Sequence, residues 1–265
     1  MAGCADTSDT NARLDDTPLA CRPERTVYRI ASVDPSLKLA HVIDLDGDGQ
    51  PDDALGRAHD VIAGAEPSFA VAPRFSARLA DDLPWLIATD RCGDEVRVTI
   101  DEGMVLPGDS EPRMPELLPR AVGTLRDSVL EARDGQTHVP LGALADVAGT
   151  EPARWVTGEA LTVRATVLAA TSERPAELDG VFAFALDPSV AQGELAPPIA
   201  TFLTAQPATD WLKAGADGNH DGIVSEQEVA ATTPFADATA GDVTVPRLAG
   251  PGVSLALRFH AVRLP

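Results

Sequence analysis

Late in the chain, Asp217-Gly218-Asn219-His220-Asp221-Gly222-Ile223-Val224-Ser225-Glu226-Gln227-Glu228 places oxygen donors at regular intervals across twelve residues. A hard cation such as calcium takes six to eight oxygens. A loop of this length supplies them from positions 1, 3 and 5, the carbonyl of position 7, position 9 through water, and a bidentate Glu at position 12, while Gly at position 6 permits the sharp turn. Asp217, Asn219, Asp221, the carbonyl of Ile223, Ser225 and Glu228 fill the ligand positions, and Gly222 fills the turn. The plainer alternative is that Ser225 to Glu228 is an S-x-x-E capping box opening a helix. That accounts for Ser225 and Glu228 but not for Asp217, Asn219, Asp221 and Gly222 together. A second oxygen-rich run, Asp44-Leu45-Asp46-Gly47-Asp48-Gly49-Gln50-Pro51-Asp52-Asp53, has acids at positions 1, 3, 5 and 9 and Gly49 at the turn. Position 12 is Leu55, so the closing carboxylate is missing. An acidic turn capping a helix predicts clustered acids but not this alternate spacing.

Residues 217–228 resemble the calcium loop of an EF-hand. The flanks match less well, because Lys213 and Gly215 fall where the incoming helix packs and Pro207 shortens it. No paired loop follows, and three Met in the whole chain do not suit a Met-rich sensor groove. Residues 44–52 resemble the DxDxDGxxD loops of thrombospondin type 3 repeats and integrin-type propeller blades. That resemblance implies Asp44, Asp46, Asp48, Asp52 and the carbonyl of Gln50 as ligands, with Asp53 held in reserve. The order of elements resembles that of uncharacterised bacterial envelope proteins, which implies no activity. Dockerins also carry two calcium loops, but within one small module, unlike the two distant loops here.

The chain has 265 residues and a formal charge of −20. Nucleic-acid binding is disfavoured, because phosphate contact needs a concentrated basic surface, and so is docking on an anionic leaflet. The longest run free of charged residues, 195–209, is broken by Pro197, Pro198 and Pro207, so no transmembrane segment is expected. Met1-Ala2-Gly3-Cys4 resembles the end of a bacterial lipoprotein signal, which makes Cys4 a lipidation candidate, although no apolar segment precedes it in the sequence. With Cys4 lipidated, Cys21 and Cys92 remain, and a pair in an exported protein is commonly a disulfide.

Residues 1–24 form a polar tether too poor in apolar groups to pack, expected to be disordered. Residues 25–265 form one β-rich domain that includes the EF-hand-like segment 198–232. Period-two alternation gives a strand at 26–30, and further strand-like runs are expected at 39–43, 85–88, 95–100, 121–126, 128–132, 136–140, 160–169, 180–186 and 253–262. Helices are expected at 53–63, 72–83, 198–205 and 208–214, and 103–120 is a proline-rich surface loop. Val181-Phe182-Ala183-Phe184-Ala185-Leu186 is apolar on both faces and should lie centrally in a sheet. The fold class is mainly β with helical inserts, an antiparallel sandwich or barrel carrying two calcium loops.

Catalytic motifs are absent from the sequence: it contains no GxSxG, HExxH, Walker loop or GxGxxG. His41, His59, His138, His220 and His260 are scattered singly and read as surface or core residues. The expectation is a non-enzymatic secreted or cell-surface protein of the bacterial envelope or exterior. In it, two Ca2+ ions stabilise the fold, and Cys4 is a candidate lipid anchor. The alternative is an acidic secreted hydrolase, such as a glycosidase using paired carboxylates, with calcium in a structural role.

Overall fold

A computed structural model describes residues 21–35, 43–65, 67–69, 72–81, 83–104, 112–114, 118–146, 153–171 and 175–265. Eight antiparallel strands form a closed barrel: β1 (Glu24–Asp34), β2 (Trp85–Cys92), β3 (Glu95–Glu102), β4 (Ala121–Arg126), β5 (Val129–Val139), β6 (Val156–Leu168), β7 (Glu177–Leu186) and β8 (Val253–Arg263). Each strand pairs with its sequence neighbours, and β8 closes on β1 through Tyr28↔Arg263 to Asp34↔Arg258. Closure leaves no sheet edge, so of the two expected architectures the barrel is the one formed. Inward positions alternate along the strands, as at Val96, Val98 and Ile100 or Leu255, Leu257 and Phe259. Trp85 sits at the centre of the aromatic packing, edge-on to Phe75, Trp155 and Phe182.

Ser128, expected to open a strand, is instead in a turn. Asp127 and Ser128 both adopt positive φ (49° and 66°), the conformation a two-residue hairpin with right-twisted strands requires. The strands expected at 128–132 and 136–140 are one strand, β5, because the interruption between them is a bulge. Asp134 has φ 66°, and the register shifts on either side of Gly135. A Cβ at Gly135 would run into the backbone of Ala121. Of the strand expected at 39–43, residues 39–42 lie outside the described residues, as do Cys4 and the rest of 1–20.

Helices α1 (Ala54–Ala65) and α2 (Ala72–Asp81) lie between β1 and β2, and α3 (Leu141–Ala145) follows β5. Between β7 and β8 come α4 (Pro188–Ala205), α5 (Trp211–Ala216), α6 (Glu226–Ala231) and α7 (Thr233–Ala238). The helix expected to start at 198 begins ten residues earlier. Asp187 caps it by accepting from Ser189 N, Pro188 occupies the first turn, and Pro197 and Pro198 lie inside it. Both prolines are tolerated inside the helix because it is held by packing, with Ala191, Leu195, Ala196 and Ala200 buried. Among the described residues no helix is long and apolar enough to cross a membrane.

Strand β7 is buried on both faces for a reason the sequence does not state. Phe182, Phe184 and Leu186 fill the barrel, while Val181, Ala183 and Ala185 on the outside are covered by Ile43, Leu45, Val243 and Val245. That outer layer is what fixes the first acidic loop against the barrel wall.

Candidate metal centre

Residues 44–53 leave this outer layer at Leu45 and enter α1. The neck is closed by Asp52 N donating to Ile43 O at 3.1 Å. At the far end Asp53 is 2% exposed and its Oδ1 accepts from Gly56 N (3.0 Å) and Ala256 N (2.9 Å), tying the start of α1 to β8. Burial pushes the Asp53 carboxyl up to about 7. Within the loop, carboxylate oxygens of Asp44, Asp46 and Asp48 all lie within 4.8 Å of one another. It is the one such acidic group among the described residues. Asp52 turns differently. Its Oδ2 accepts from Leu45 N at 2.5 Å, and burial, with Asp46 and Asp242 nearby, raises it to about 6.

The loop at 217–228 is built to the same bond pattern. The first side chain accepts from the sixth N–H: Gly49 N to Asp44 Oδ2 and Gly222 N to Asp217 Oδ2, both at 2.9 Å. The third accepts from the fifth: Asp48 N to Asp46 at 3.2 Å and Asp221 N to Asn219 at 2.9 Å. The fifth accepts from the seventh: Gln50 N to Asp48 at 2.6 Å and Ile223 N to Asp221 at 2.8 Å. Positive φ recurs at the fourth position (Gly47 81°, His220 60°) and at the sixth (Gly49 84°, Gly222 86°), where glycine carries no steric cost. Two segments far apart in sequence thus share one backbone course, and in the first of them the side chains at positions 1, 3 and 5 converge.

The loops differ at their ends. Glu228 closes the second one: its Oε1 accepts from Asn219 N (3.2 Å), and its Oε2 from Ser225 N and Ser225 Oγ (both 2.9 Å). These bonds from Ser225 hold the Glu228 carboxyl below its ordinary range. The capping box is present, so these bonds need no cation to account for them. The carboxylates of Asp217, Asp221 and Glu228 are less tightly gathered than those of the first loop.

Docking of the second loop explains the flanks that fit a paired EF-hand poorly. Val224 is 3% exposed and packs with Ala196, Ala200 and Leu203 of α4. Its backbone is met by a side chain: Val224 N donates to Thr204 Oγ1 at 2.9 Å, and the same hydroxyl donates to Val224 O at 3.2 Å. Lys213 is buried because its Nζ donates to Thr204 O (2.8 Å) and Gln206 O (3.1 Å), the carbonyls at the end of α4.

No protein-family model, curated protein or solved structure matches this chain.

Two sets of residues escaped the sequence reading. Asp242, from the segment before β8, reaches the first loop's surroundings: it accepts from Ser254 Oγ (2.6 Å) and Arg57 (3.0 Å), while Thr244 N donates to Asp46 Oδ2 (3.2 Å). Nothing in the local sequence around Asp242 marks it, since the proximity is made by the barrel. The second set is His138, whose Nδ1 lies 2.7 Å from Asp101 Oδ1. Asp101 is fully buried and its Oδ2 has no partner among the described residues. The pairing follows from β3 and β5 meeting at Ile100↔Thr137, a contact that single-residue inspection of the histidines does not reveal.

Proposed function

We propose that this chain is a calcium-binding, non-enzymatic protein of the bacterial envelope or exterior, in which two Ca2+ ions stabilise the fold. The reading rests on one observation, the shared bond pattern and positive-φ positions of the 44–52 and 217–228 loops. One ion would be held by Asp44, Asp46, Asp48, the carbonyl of Gln50 and Asp52. The other would be held by Asp217, Asn219, Asp221, the carbonyl of Ile223, Ser225 through water, and Glu228, in the manner of an EF-hand loop. In each loop backbone N–H groups already orient the carboxylates, so cation binding requires little reordering. The ions would replace repulsion among clustered acids by attraction. They would fix the junction from barrel wall to α1 at one loop and from α5 to α6 at the other. The Cys21–Cys92 disulfide supports an oxidising compartment; attachment through Cys4 belongs to the same proposal.

Calorimetric titration of calcium into chelator-stripped protein tests this reading. Two equivalents are expected for the wild type and one for each of Glu228→Ala and Asp46→Ala. Unchanged stoichiometry in either variant removes the corresponding site.

The acidic-hydrolase alternative has one observation in its favour, the His138–Asp101 pair, because a buried carboxylate orienting an imidazole is the arrangement of a general base. Among the described residues no hydroxyl or thiol is hydrogen-bonded to the other ring nitrogen. Turnover of chromogenic glycosides or esters that is lost in His138→Asn would favour this alternative over the non-enzymatic reading.

A further inference from the structure

The first acidic loop lacks what closes the second. In 217–228 the closure is local, because Glu228 Oε1 accepts from Asn219 N at 3.2 Å and so ties position 12 to position 3. In the first loop the twelfth position is Leu55, whose side chain packs in the barrel core. Its third position is held from elsewhere in the chain. Asp46 Oδ1 accepts from Asp48 N, as the shared pattern requires, while Asp46 Oδ2 accepts from Thr244 N at 3.2 Å, 198 residues away.

Thr244 belongs to the segment 239–252 between α7 and β8, which lies as a strap across the barrel wall. Residues on either side fix its backbone. Val243 and Val245 are 1% and 3% exposed and pack with Leu45 against Ala185 of β7. Val243 and Gly252 exchange both backbone hydrogen bonds, at 3.1 and 2.7 Å. Asp242 accepts from Ser254 N (2.9 Å) and from Ser254 Oγ (2.6 Å), and the same hydroxyl accepts from Ala54 N (2.8 Å) at the start of α1. The strap therefore grips the loop twice, at Asp46 and, through Ser254, at the helix into which the loop runs.

A carboxylate with one oxygen anchored by an N–H keeps lone pairs on both oxygens for a cation, and it has less freedom left to lose when the cation arrives. We propose that the strap completes the first calcium site. Thr244 N–H positions Asp46 from outside the loop, in place of the local tie that Glu228 makes in the second, and calcium in the 44–52 loop in turn holds the strap on the barrel. This inference rests on the calcium reading of that loop. Linkage makes the coupling reciprocal: the factor that a seated strap contributes to calcium affinity is the factor that calcium returns to seating. Groups that orient a metal's ligands are typically worth about 10- to 100-fold in affinity. The second loop, closed by its own Glu228, should not depend on Thr244.

The test combines calorimetry and hydrogen exchange on the full chain. In Glu228→Ala, which retains only the first site, the calcium affinity should fall at least about tenfold when Thr244→Pro is added. Proline removes the N–H, and Val243, extended in its bridge with Gly252, suits the residue before a proline. Thr244→Val keeps the N–H and should keep the affinity. Exchange read by mass spectrometry should show residues 242–248 of the wild type exchanging more slowly in calcium than in EGTA, with the same slowing in Glu228→Ala and none in Asp46→Ala. Unchanged affinity in a folded Thr244→Pro variant, or strap exchange indifferent to calcium in a wild type that binds two equivalents, overturns the inference and leaves the calcium reading in place. A folded Glu228→Ala protein that binds no calcium overturns both. Should Thr244→Pro not fold, the wild-type exchange result decides.

Discussion

Replacing Thr204 by Val removes one hydroxyl and keeps the branched shape, so it isolates the bond that docks the 217–228 loop on α4. In the wild type that hydroxyl accepts from Val224 N at 2.9 Å and donates to Val224 O at 3.2 Å, at a residue that is 3% exposed. The substitution leaves a buried N–H without an acceptor, at a cost of about 1 to 3 kcal/mol. The carbonyl adds less, because an under-satisfied acceptor is better tolerated than an orphaned donor. For a chain of this size each kcal/mol lowers the melting temperature by about 2 to 4 °C, so a fall of about 2 to 12 °C is expected. Thr204→Ser retains a hydroxyl and is the control, expected to lie much nearer the wild type. Thermal and urea unfolding followed by circular dichroism measure both variants. A Thr204→Val protein as stable as the wild type, within about 0.5 kcal/mol, would refute the claim that this hydroxyl holds the loop.

Reduction of Cys21–Cys92, whose partners are 71 residues apart, releases a long loop in the unfolded chain. The chain-entropy estimate is about 4 kcal/mol, or about 8 to 16 °C in melting temperature; an unchanged melt in dithiothreitol contradicts this. Glu102 offers a pH test away from both acidic loops. Burial and the neighbouring Asp101 raise its carboxyl above the ordinary 4.5, against the opposing effects of His138 and Trp155. Because the folded state holds this proton more tightly, the associated stability is present below pH 4.5 and is lost as pH rises through the folded value. Glu102→Gln should therefore gain stability relative to the wild type as pH rises from 4.5 toward neutrality, and a pH-independent difference would contradict the assignment.

Much of the barrel was legible in the sequence because its strands alternate and end in recognisable turns. The runs at 85–88 and 95–100 fall in β2 and β3, whose hairpin turns at Gly93 with φ 64°. What was hidden depends on tertiary partners. The Asp134–Gly135 bulge has the composition of a turn, and only pairing with β6 makes it an interruption within one strand. Pro197 and Pro198 locally forbid what packing of α4 permits. The two acidic loops were the clearest chemical signals, since a fixed spacing within one short segment survives without any knowledge of the fold. Asp242 beside the first loop and the His138–Asp101 pair were not legible. Each is assembled from segments that meet only when the barrel closes and the helices pack around it.

If calcium binds the folded loops and not the unfolded chain, a thermal melt in calcium at about 10-fold to 100-fold its dissociation constant will lie above one in EGTA. Mass action then gives about 1.4 to 2.7 kcal/mol for each site. With extracellular-type affinities of about 0.1 to 1 mM, this range takes about 1 to 100 mM calcium. Two occupied loops should raise the melting temperature by about 6 to 20 °C, with the rise roughly halved in Glu228→Ala or Asp46→Ala. Superimposable melts in EGTA and in calcium would contradict the account.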